Sequence, residues 1–313
     1  MDKYQTRADI LSIALASVPL VRGKHRLANT LARLQMRRGS QWGICSPGNG
    51  TILRVNLRDR IQRLMWGHCY ENHVQACFRA LLSSGETYID VGAHIGYHAV
   101  LAASLVGAEG NVYAFEADRG NFERLRENLR CLRGATAINK AVWRTTGVIV
   151  FERSSEEGES GWGTLTEVRD LKRGEHSSLP AISLDDWSTE GNIKGVSLIK
   201  IDAEGSEIGI LRGAQKFLQR FKPIIVTEIN DVLLRQGDGT SGEITEVLRK
   251  HGYELFQLNG KCLQLLGTAA AAQFCEVLCL HVEQRDKAIQ RLRARGFSLG
   301  GSPKGTVNEQ NFG

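Results

Sequence analysis

The chain lacks the features that mark a disulfide scaffold, a zinc protein or a membrane-spanning protein. Its seven cysteines are an odd number and none forms a C-x-x-C pair, which favours a reduced compartment such as the cytoplasm. The apolar stretch 10–21 is too short to cross a bilayer and contains Pro19. As a signal peptide it is weak, because Asp2 and Asp9 dilute the positive charge that precedes it.

Basic residues are concentrated at the two ends of the chain, which carries a net charge of +6. Residues 1–70 hold 12 Lys and Arg against 3 Asp and Glu, and residues 284–313 hold 6 against 2. The segment between them is therefore acidic. A nucleic acid needs Lys and Arg to contact its phosphates, so this pattern argues against such a substrate lying across the middle of the chain.

Length and patterning indicate one domain with appendages. Over residues 67–283, strand-like apolar runs alternate with helical periods, which predicts a doubly wound, mostly parallel α/β sheet. We expect seven strands, one of them reversed near the end of the segment. Residues 153–178 are polar and rich in Gly and Ser, which predicts a loop.

The two ends of the chain are predicted to be basic extensions of that domain. In residues 1–66 we expect helices over residues 6–38, broken near Pro19 and Gly23, followed by a short strand region. These helices could contact an anionic membrane surface, or they could cap the domain or form an oligomer. Residues 284–313 predict a basic helix followed by a disordered tail.

The run YIDVGAHIG at 88–96 has the pattern of a strand, a glycine-bearing turn and a helix that starts near Tyr97. Gly92 and Gly96 permit a ligand to approach the backbone closely. The next strand ends just before Glu116, whose carboxylate could accept hydrogen bonds from ribose hydroxyls. This layout predicts a site for a nucleotide-like cofactor.

The spacing of the glycines distinguishes between cofactors. A dinucleotide site has the pattern G-x-G-x-x-G, but here the second glycine position is His94, whose side chain would obstruct a pyrophosphate. Asp90 would also repel a pyrophosphate, whereas it suits a cationic ligand such as S-adenosylmethionine. An NAD-dependent oxidoreductase is therefore disfavoured. A turn whose glycines only satisfy local geometry stays as an alternative.

Six motifs in order resemble the FkbM family of S-adenosylmethionine-dependent methyltransferases, over roughly residues 67–282. They are GHCYE (67–71), YIDVGAHIGYHA (88–99), VYAFEAD (112–118), ISLDDW (182–187), LIKIDAEGSEIGILRGA (198–214) and KPIIVTEIN (222–230). The K-I-D-x-E-G run is the most distinctive of them. Two positions depart from the family pattern, since the family usually has Asn at the position of His94 and Pro at that of Ala117.

The resemblance implies O-methylation of a hydroxyl on a sugar, glycolipid or secondary metabolite, without a metal, and it leaves the acceptor open. It also implies a Rossmann-like class I methyltransferase fold. Within that fold, Glu71 would bind the ammonium group of the cofactor, His94 would lie near its methionine part and Asn139 would contact its adenine. A cofactor-binding but catalytically silent partner subunit is the alternative.

An alcohol is a poor nucleophile at neutral pH, so its methylation needs a base beside the acceptor oxygen. Asp202 and Glu204 are the candidates, because they follow the VSLIKID strand at its carboxyl end, where α/β sheets present ligands. Helix capping and a favourable helix-dipole interaction are their alternative roles. His98 is a rival base, and Lys200 is expected to pair with Glu204 or Glu228.

Overall fold

A computed structural model of the protein describes residues 3–19, 23–48, 50–153, 163–166, 176–236, 239–267 and 274–300. In these ranges the helices are α1 (Lys3–Ser17), α2 (Lys24–Arg37), α3 (Arg60–Trp66), α4 (Asn72–Leu81), α5 (Tyr97–Val106), α6 (Arg119–Leu129), α7 (Leu184–Glu190), α8 (Glu207–Arg212), α9 (Gln215–Phe221), α10 (Asp231–Gln236), α11 (Ser241–Lys250) and α12 (Arg285–Ala294).

The strands belong to three sheets. In chain order they are β1 (Trp42–Cys45), β2 (Leu53–Asn56), β3 (Thr87–Val91), β4 (Asn111–Phe115), β5 (Ala135–Ile138), β6 (Ala141–Val142), β7 (Gly147–Arg153), β8 (Gly163–Thr166), β9 (His176–Ile182), β10 (Leu198–Ile201), β11 (Ile224–Asn230), β12 (Tyr253–Asn259), β13 (Cys262–Leu265), β14 (Phe274–His281) and β15 (Ser298–Gly300).

The central sheet has the order β15-β13-β12-β14-β11-β10-β3-β4-β5. Strands β5, β4, β3, β10 and β11 are parallel, and β14 runs antiparallel between β11 and β12. The predicted seven strands with one reversed are therefore present. Two further strands, β13 and β15, extend the β12 edge, because β12 turns back through Gly260 and Lys261 to form a hairpin that the sequence analysis missed.

Apolar layers cover both faces of this sheet, as expected for parallel strands that are buried on both sides. Consecutive residues of β3 point to opposite faces, so that Tyr88 packs in one layer and Ile89 in the other. The first layer contains Phe78 of α4 and Leu101 of α5. The second contains Phe217 of α9 and further apolar residues of α7, α8 and α11.

A separate four-stranded sheet has the order β6-β9-β7-β8. The prediction of a loop over residues 153–178 is wrong for the part that the structure describes, since β8 and the start of β9 lie within it. These strands carry no apolar alternation and are held by antiparallel pairing with β7, a contact that local patterning does not reveal. Residues 154–162 and 167–175 of that predicted loop lie outside the described residues.

The described parts of the chain ends contain helices and a pair of short strands. Helix α1 ends at Ser17 and α2 begins at Lys24, β1 and β2 form an antiparallel pair, and α12 carries Arg285, Lys287, Arg291 and Arg293. The bounds of the two basic extensions stay a prediction. The predicted disordered tail falls on residues 301–313, which lie outside the described ranges. Within those ranges, none of the helices is both long and apolar enough to cross a bilayer.

Candidate functional site

The carboxyl ends of the parallel strands bring the predicted acidic residues to one edge of the central sheet. Asp90 of β3 lies directly beside Lys200 of β10 in the register of the two strands. Glu116 follows β4, Asp202 follows β10, and Glu228 lies near the end of β11. Side chains that are far apart in the sequence therefore meet at the edge where α/β sheets bind their ligands.

The glycine-bearing turn is shaped by contacts within the protein. Gly92 has φ +80°, and a Cβ built there would lie 1.8 Å from the carbonyl oxygen of Asp202. Gly96 has φ +93°, and its Cβ would lie 2.7 Å from Cδ1 of Leu125 in α6. Both glycines are thus needed for local geometry whether or not a ligand approaches. The contact at Gly92 also places the turn directly against the end of β10.

Glu116 is buried and accepts two backbone hydrogen bonds. Its Oε2 accepts from the amide of His94 at 2.8 Å and its Oε1 from the amide of Asp118 at 2.9 Å. Burial nevertheless raises the pKa of Glu116 to about 8. Each carboxylate oxygen keeps a second lone pair, which is the acceptor capacity that two ribose hydroxyls require.

Two predicted cofactor-binding residues surround Glu116. Asn139 donates from Nδ2 to the carbonyl of Glu116 at 2.8 Å and to that of Ala117 at 3.2 Å, which ties the ends of β4 and β5 together. The backbone of His94 is left-handed, with φ +51°. Burial lowers the pKa of the His94 ring to about 4, so this side chain adds no positive charge to the turn at neutral pH.

Lys200 is the buried cation at the centre of the site. Its Nζ lies 2.5 Å from Oδ2 of Asp202 and 3.6 Å from Oε2 of Glu71. The expected pairing with Glu204 or Glu228 is wrong, because residues two apart in an extended segment share a face, which gives Lys200 the nearer partner Asp202. Burial opposes the charge, but Asp202 and Glu71 outweigh it and hold the pKa of Lys200 well above its usual value.

Glu71 lies immediately before α4 in a left-handed backbone conformation, with φ +39°. Its Oε2 is 2.8 Å from Nε2 of His98. Burial disfavours ionisation of Glu71, but Lys200 and His98 outweigh it and hold the pKa of this carboxyl well below its usual value. The His98 ring is buried and packed against three aromatic rings, Tyr70, Phe78 and Tyr97.

Asp90 is 1% exposed, and its Oδ2 has no hydrogen-bond partner among the described residues. Burial raises the pKa of Asp90, although Lys200 and His98 lower it in part. A buried carboxylate oxygen without a donor is costly. This oxygen is therefore suited to a cationic or hydrogen-bond-donating ligand.

Further carboxylates adjoin Lys200 on the side of β11 and β14. Burial and the neighbouring Asp202 raise the pKa of Glu204 to about 8, and the same two causes raise that of Glu228 to about 9. Glu204 also has a left-handed backbone, with φ +48°. Glu207 raises the pKa of Glu204 further, and its own Oε1 accepts from the amide of Ala203 at 2.9 Å.

Glu276 and His73 form a further acid–histidine contact that the sequence pattern did not predict. Glu276 of β14 is directly opposite Glu228 of β11 in the antiparallel register, and it lies 3.6 Å from Nε2 of His73 in α4. Burial raises the pKa of Glu276. An acid inside the apolar run FCEVLCLHV was the available signal, but its partner comes from a non-adjacent part of the chain.

The fold and the acidic residues at one edge of the sheet define a class I methyltransferase. Its sheet is doubly wound, one antiparallel strand lies between the last two strands that share the parallel direction, and acidic residues lie at the carboxyl ends of the first strands. Residues 90–255 match the Methyltransferase FkbM domain. The chain belongs to this family. The matched range includes Asp90, Glu116, Asp202 and Glu204, whereas Glu71 and Glu276 lie outside it.

Characterised relatives cover different shares of the chain. The hexuronic acid methyltransferase AglP of Haloferax volcanii is 29% identical over 156 residues, which are 49% of this chain and 61% of that protein. The 31-O-demethyl-FK506 methyltransferase FkbM of Streptomyces tacrolimicus is 28% identical over 236 residues, 66% and 86% respectively. The 2-O-methyltransferase NoeI of Sinorhizobium fredii is 26% identical over 160 residues, 48% and 65%. The chain thus spans less than two thirds of the first and third relatives.

Among solved structures, the crystal structure of methyltransferase FkbM from Methylobacillus flagellatus is similar to the chain at 15% sequence identity. The similarity covers 71% of this chain and 54% of that one, with a TM-score of 0.42.

Proposed function

We propose that the protein is an S-adenosylmethionine-dependent O-methyltransferase acting on a hydroxyl of a sugar, glycolipid or secondary metabolite. The observation that carries the proposal is that two groups of acidic residues adjoin at one edge of the sheet. Asp90 and Glu116 form the group on the cofactor side, and Asp202 and Glu204 form the group on the acceptor side. Family membership supports the chemistry. The names of two relatives, a 31-O-demethyl-FK506 methyltransferase and a 2-O-methyltransferase, support an oxygen acceptor.

The residues on the first side fit a cationic adenosyl cofactor. When bound, S-adenosylmethionine supplies a methyl group activated by a positively charged sulfur. Asp90 offers it a buried carboxylate oxygen that has no hydrogen-bond partner among the described residues, and Glu116 offers acceptors for the ribose hydroxyls. Asn139 donates from its amide nitrogen to two carbonyls, which leaves its carbonyl oxygen to accept from the adenine amino group.

Glu71 has a more constrained role than the resemblance alone implies. Its Oε2 is already shared by His98 and Lys200, at 2.8 Å and 3.6 Å. Any contact with the ammonium group of the cofactor therefore falls to its other oxygen. The turn at Gly92 and Gly96 brings the amides at the start of α5 to the same edge, and His94 stays neutral beside them.

Glu204 is the better base of the two candidates. The carboxylate of Asp202 is engaged in an ion pair with Lys200, whose Nζ lies 2.5 Å from its Oδ2. Glu204 has a pKa raised to about 8 by burial and by neighbouring carboxylates, and a base is most effective when its pKa lies near the working pH. We therefore assign proton removal from the acceptor hydroxyl to Glu204. Asp202 has the separate role of holding Lys200 in place.

Titration calorimetry tests the cofactor assignment. We expect heat with S-adenosylmethionine and none with NAD, because Asp90 and His94 disfavour a pyrophosphate. Absence of binding by the folded protein would overturn the proposal. A labelled-methyl transfer screen against glycan, lipid and small-molecule fractions, run with and without EDTA, then identifies the acceptor. Binding without transfer in every fraction would indicate a silent partner subunit.

A further inference from the structure

Helices α1 and α2 each expose large apolar side chains to solvent. On α1, Ile10 is 60% and Ile13 is 67% exposed, and on α2, Leu27 is 46% and Leu34 is 43% exposed. Leu27 and Leu34 are seven residues apart, so they lie on the same side of the helix. Four large apolar side chains are thus uncovered in a short N-terminal segment of the chain.

Three arginines lie beside these apolar residues. Arg26 and Arg33 are also seven residues apart, and with Arg37 they follow the exposed side of α2 next to the two leucines. Helix α2 contains no acidic residue. In the part of the chain that the structure describes, no carboxylate pairs with any of these three arginines.

The opposite side of the helix pair is anchored to the domain. Ala28 and Ala32 of α2 are fully buried. The Oγ of Ser12 donates to the carbonyl of Trp66 at 2.8 Å and lies 3.2 Å from Nε2 of His68. The Nζ of Lys24 donates to the carbonyl of Val18 at 2.9 Å, which holds the two helices together. The exposed surface is therefore carried on a fixed support.

We propose that the outer face of α1 and α2, formed by Ile10, Ile13, Leu27 and Leu34 with Arg26, Arg33 and Arg37, binds the surface of an anionic lipid bilayer. Isoleucine and leucine fit the boundary between headgroups and acyl chains, and arginine pairs with lipid phosphates. A nucleic acid would use the cations but not the apolar residues. An apolar protein partner would leave the arginines unpaired.

The anchor also relates this face to the site. Ser12 contacts His68, which lies three residues before Glu71. The segment that bears Glu71, the residue that contacts Lys200, is therefore attached to the proposed lipid-binding helices. Combined with the proposed function, on which this step depends, the arrangement favours a lipid-linked sugar as the acceptor, because a bilayer-bound enzyme meets such an acceptor at its own surface.

Vesicle co-sedimentation of the full chain tests the lipid surface directly. We expect binding to vesicles of phosphatidylcholine mixed with phosphatidylglycerol, weaker binding at high salt, and little binding to phosphatidylcholine alone. The triple variant Arg26→Gln, Arg33→Gln, Arg37→Gln should lower the partition coefficient by roughly 100-fold. The double variant Leu27→Ser, Leu34→Ser should lower it by roughly tenfold.

Matched controls keep the test specific. The variant Lys287→Gln, Arg293→Gln, Arg295→Gln removes the same charge from the region of α12, and Val232→Ser, Val282→Ser removes two other exposed apolar residues. Both should bind vesicles like the parent chain. Thermal unfolding checks that each variant is folded. An equal loss of vesicle binding in a control variant would overturn the proposal. So would a parent chain that does not bind anionic vesicles.

A second copy of the chain is the competing occupant of this face. Light scattering on the parent chain and on Leu27→Ser, Leu34→Ser decides between them. A dimer that the double variant converts to a monomer would overturn the lipid assignment. These outcomes are independent of cofactor binding, so failure of the membrane proposal and failure of the proposed function can be told apart.

Discussion

Glu204 combines three properties that rarely occur in one residue. It is a non-glycine residue with left-handed φ, it carries a pKa raised to about 8, and it follows the strand that ends at the site. Left-handed backbone at such a residue costs on the order of 1–2 kcal/mol and persists only where the surroundings impose it. The neighbouring Gly205 and Glu207 contribute to that environment by shaping and capping the loop.

Replacing Glu204 by Gln should lower turnover by roughly 10²- to 10⁴-fold and leave the affinity for S-adenosylmethionine nearly unchanged, because the proton acceptor is lost while the cofactor side is untouched. In the parent enzyme only the ionised carboxylate accepts a proton. The rate should therefore rise with pH and reach half its maximum near the pKa of about 8. Initial rates across pH measure both effects.

Glu246→Gln, on the exposed side of α11, is the control for the loss of one negative charge. If Glu204→Gln turns over at the parent rate, Glu204 is not the base. A rate profile centred near pH 9 would then point to Glu228, whose pKa is about 9.

Glu116→Ala should weaken S-adenosylmethionine binding by roughly 10- to 100-fold, since it removes the two hydrogen bonds expected to the ribose hydroxyls, each of which contributes about 0.5–1.5 kcal/mol. Calorimetric titration measures the change. Glu109→Ala, at an exposed position before β4, should bind like the parent. An unchanged dissociation constant for Glu116→Ala in a folded protein would show that ribose is held elsewhere.

The glycine turn and the end of β10 form one unit at the scale of secondary-structure elements. The carbonyl oxygen of Asp202 occupies the space that a side chain at residue 92 would need. Asp202 in turn donates its amide to the carbonyl of Val91 at 3.0 Å, so the two strand ends are bonded as well as packed.

Gly92→Ala should destabilise the fold by on the order of 4 kcal/mol, because left-handed strain adds to a clash with a backbone carbonyl that cannot rotate away. Gly85 is a close control: it has the same φ of +80°, and among the described residues no atom beyond its chain neighbours lies within 4 Å of its Cβ position. Gly85→Ala should cost only about 1–2 kcal/mol. Urea unfolding compares the two, and equal losses would show that the contact with Asp202 is unimportant.

The elements that the sequence predicts well are those with local signals. Buried parallel strands such as β3 and β10 are visible in the sequence as apolar runs, and the acidic residues at their ends could be predicted directly. Pairings between distant segments could not be predicted. The four-stranded sheet around β9, the partner Asp202 of Lys200, and the position of Glu276 opposite Glu228 all depend on non-local register, which no window of the sequence contains.

Taken as a whole, the molecule concentrates acidic residues at the site and basic residues at the two ends of the chain. The buried carboxyl of Glu116 and the half-buried carboxyls of Glu204 and Glu228 have pKa values raised to about 8, 8 and 9. Burial is the first cause in each case, and neighbouring carboxylates add to it. The folded protein therefore holds protons at pH 7 that an unfolded chain would release.

Stability of the cofactor-free protein should fall as the pH rises from about 7 to about 9. In that window the folded carboxyls lose protons that the unfolded ones, with pKa values near 4.5, have already lost, so the folded state binds more protons and rising pH disfavours it. His68 and His94, with pKa values of about 4, are neutral in both states there. Urea unfolding at several pH values measures the slope.

Glu228→Gln should flatten that slope, because it removes the carboxyl with the highest of these pKa values. Glu246→Gln should leave the slope as it is. A stability that rises with pH over the same range would contradict the assignment of protonated carboxyls to the site.

The contact between residue 92 and the carbonyl of Asp202 has a consequence for how such a chain diversifies. The spacing between the cofactor turn and the loop that bears Glu204 is set by backbone against backbone, with no side chain between them. Substitutions on the surrounding surface can change which acceptor is admitted while that spacing stays constant. We therefore expect changes of acceptor range to leave the spacing between these two loops unchanged.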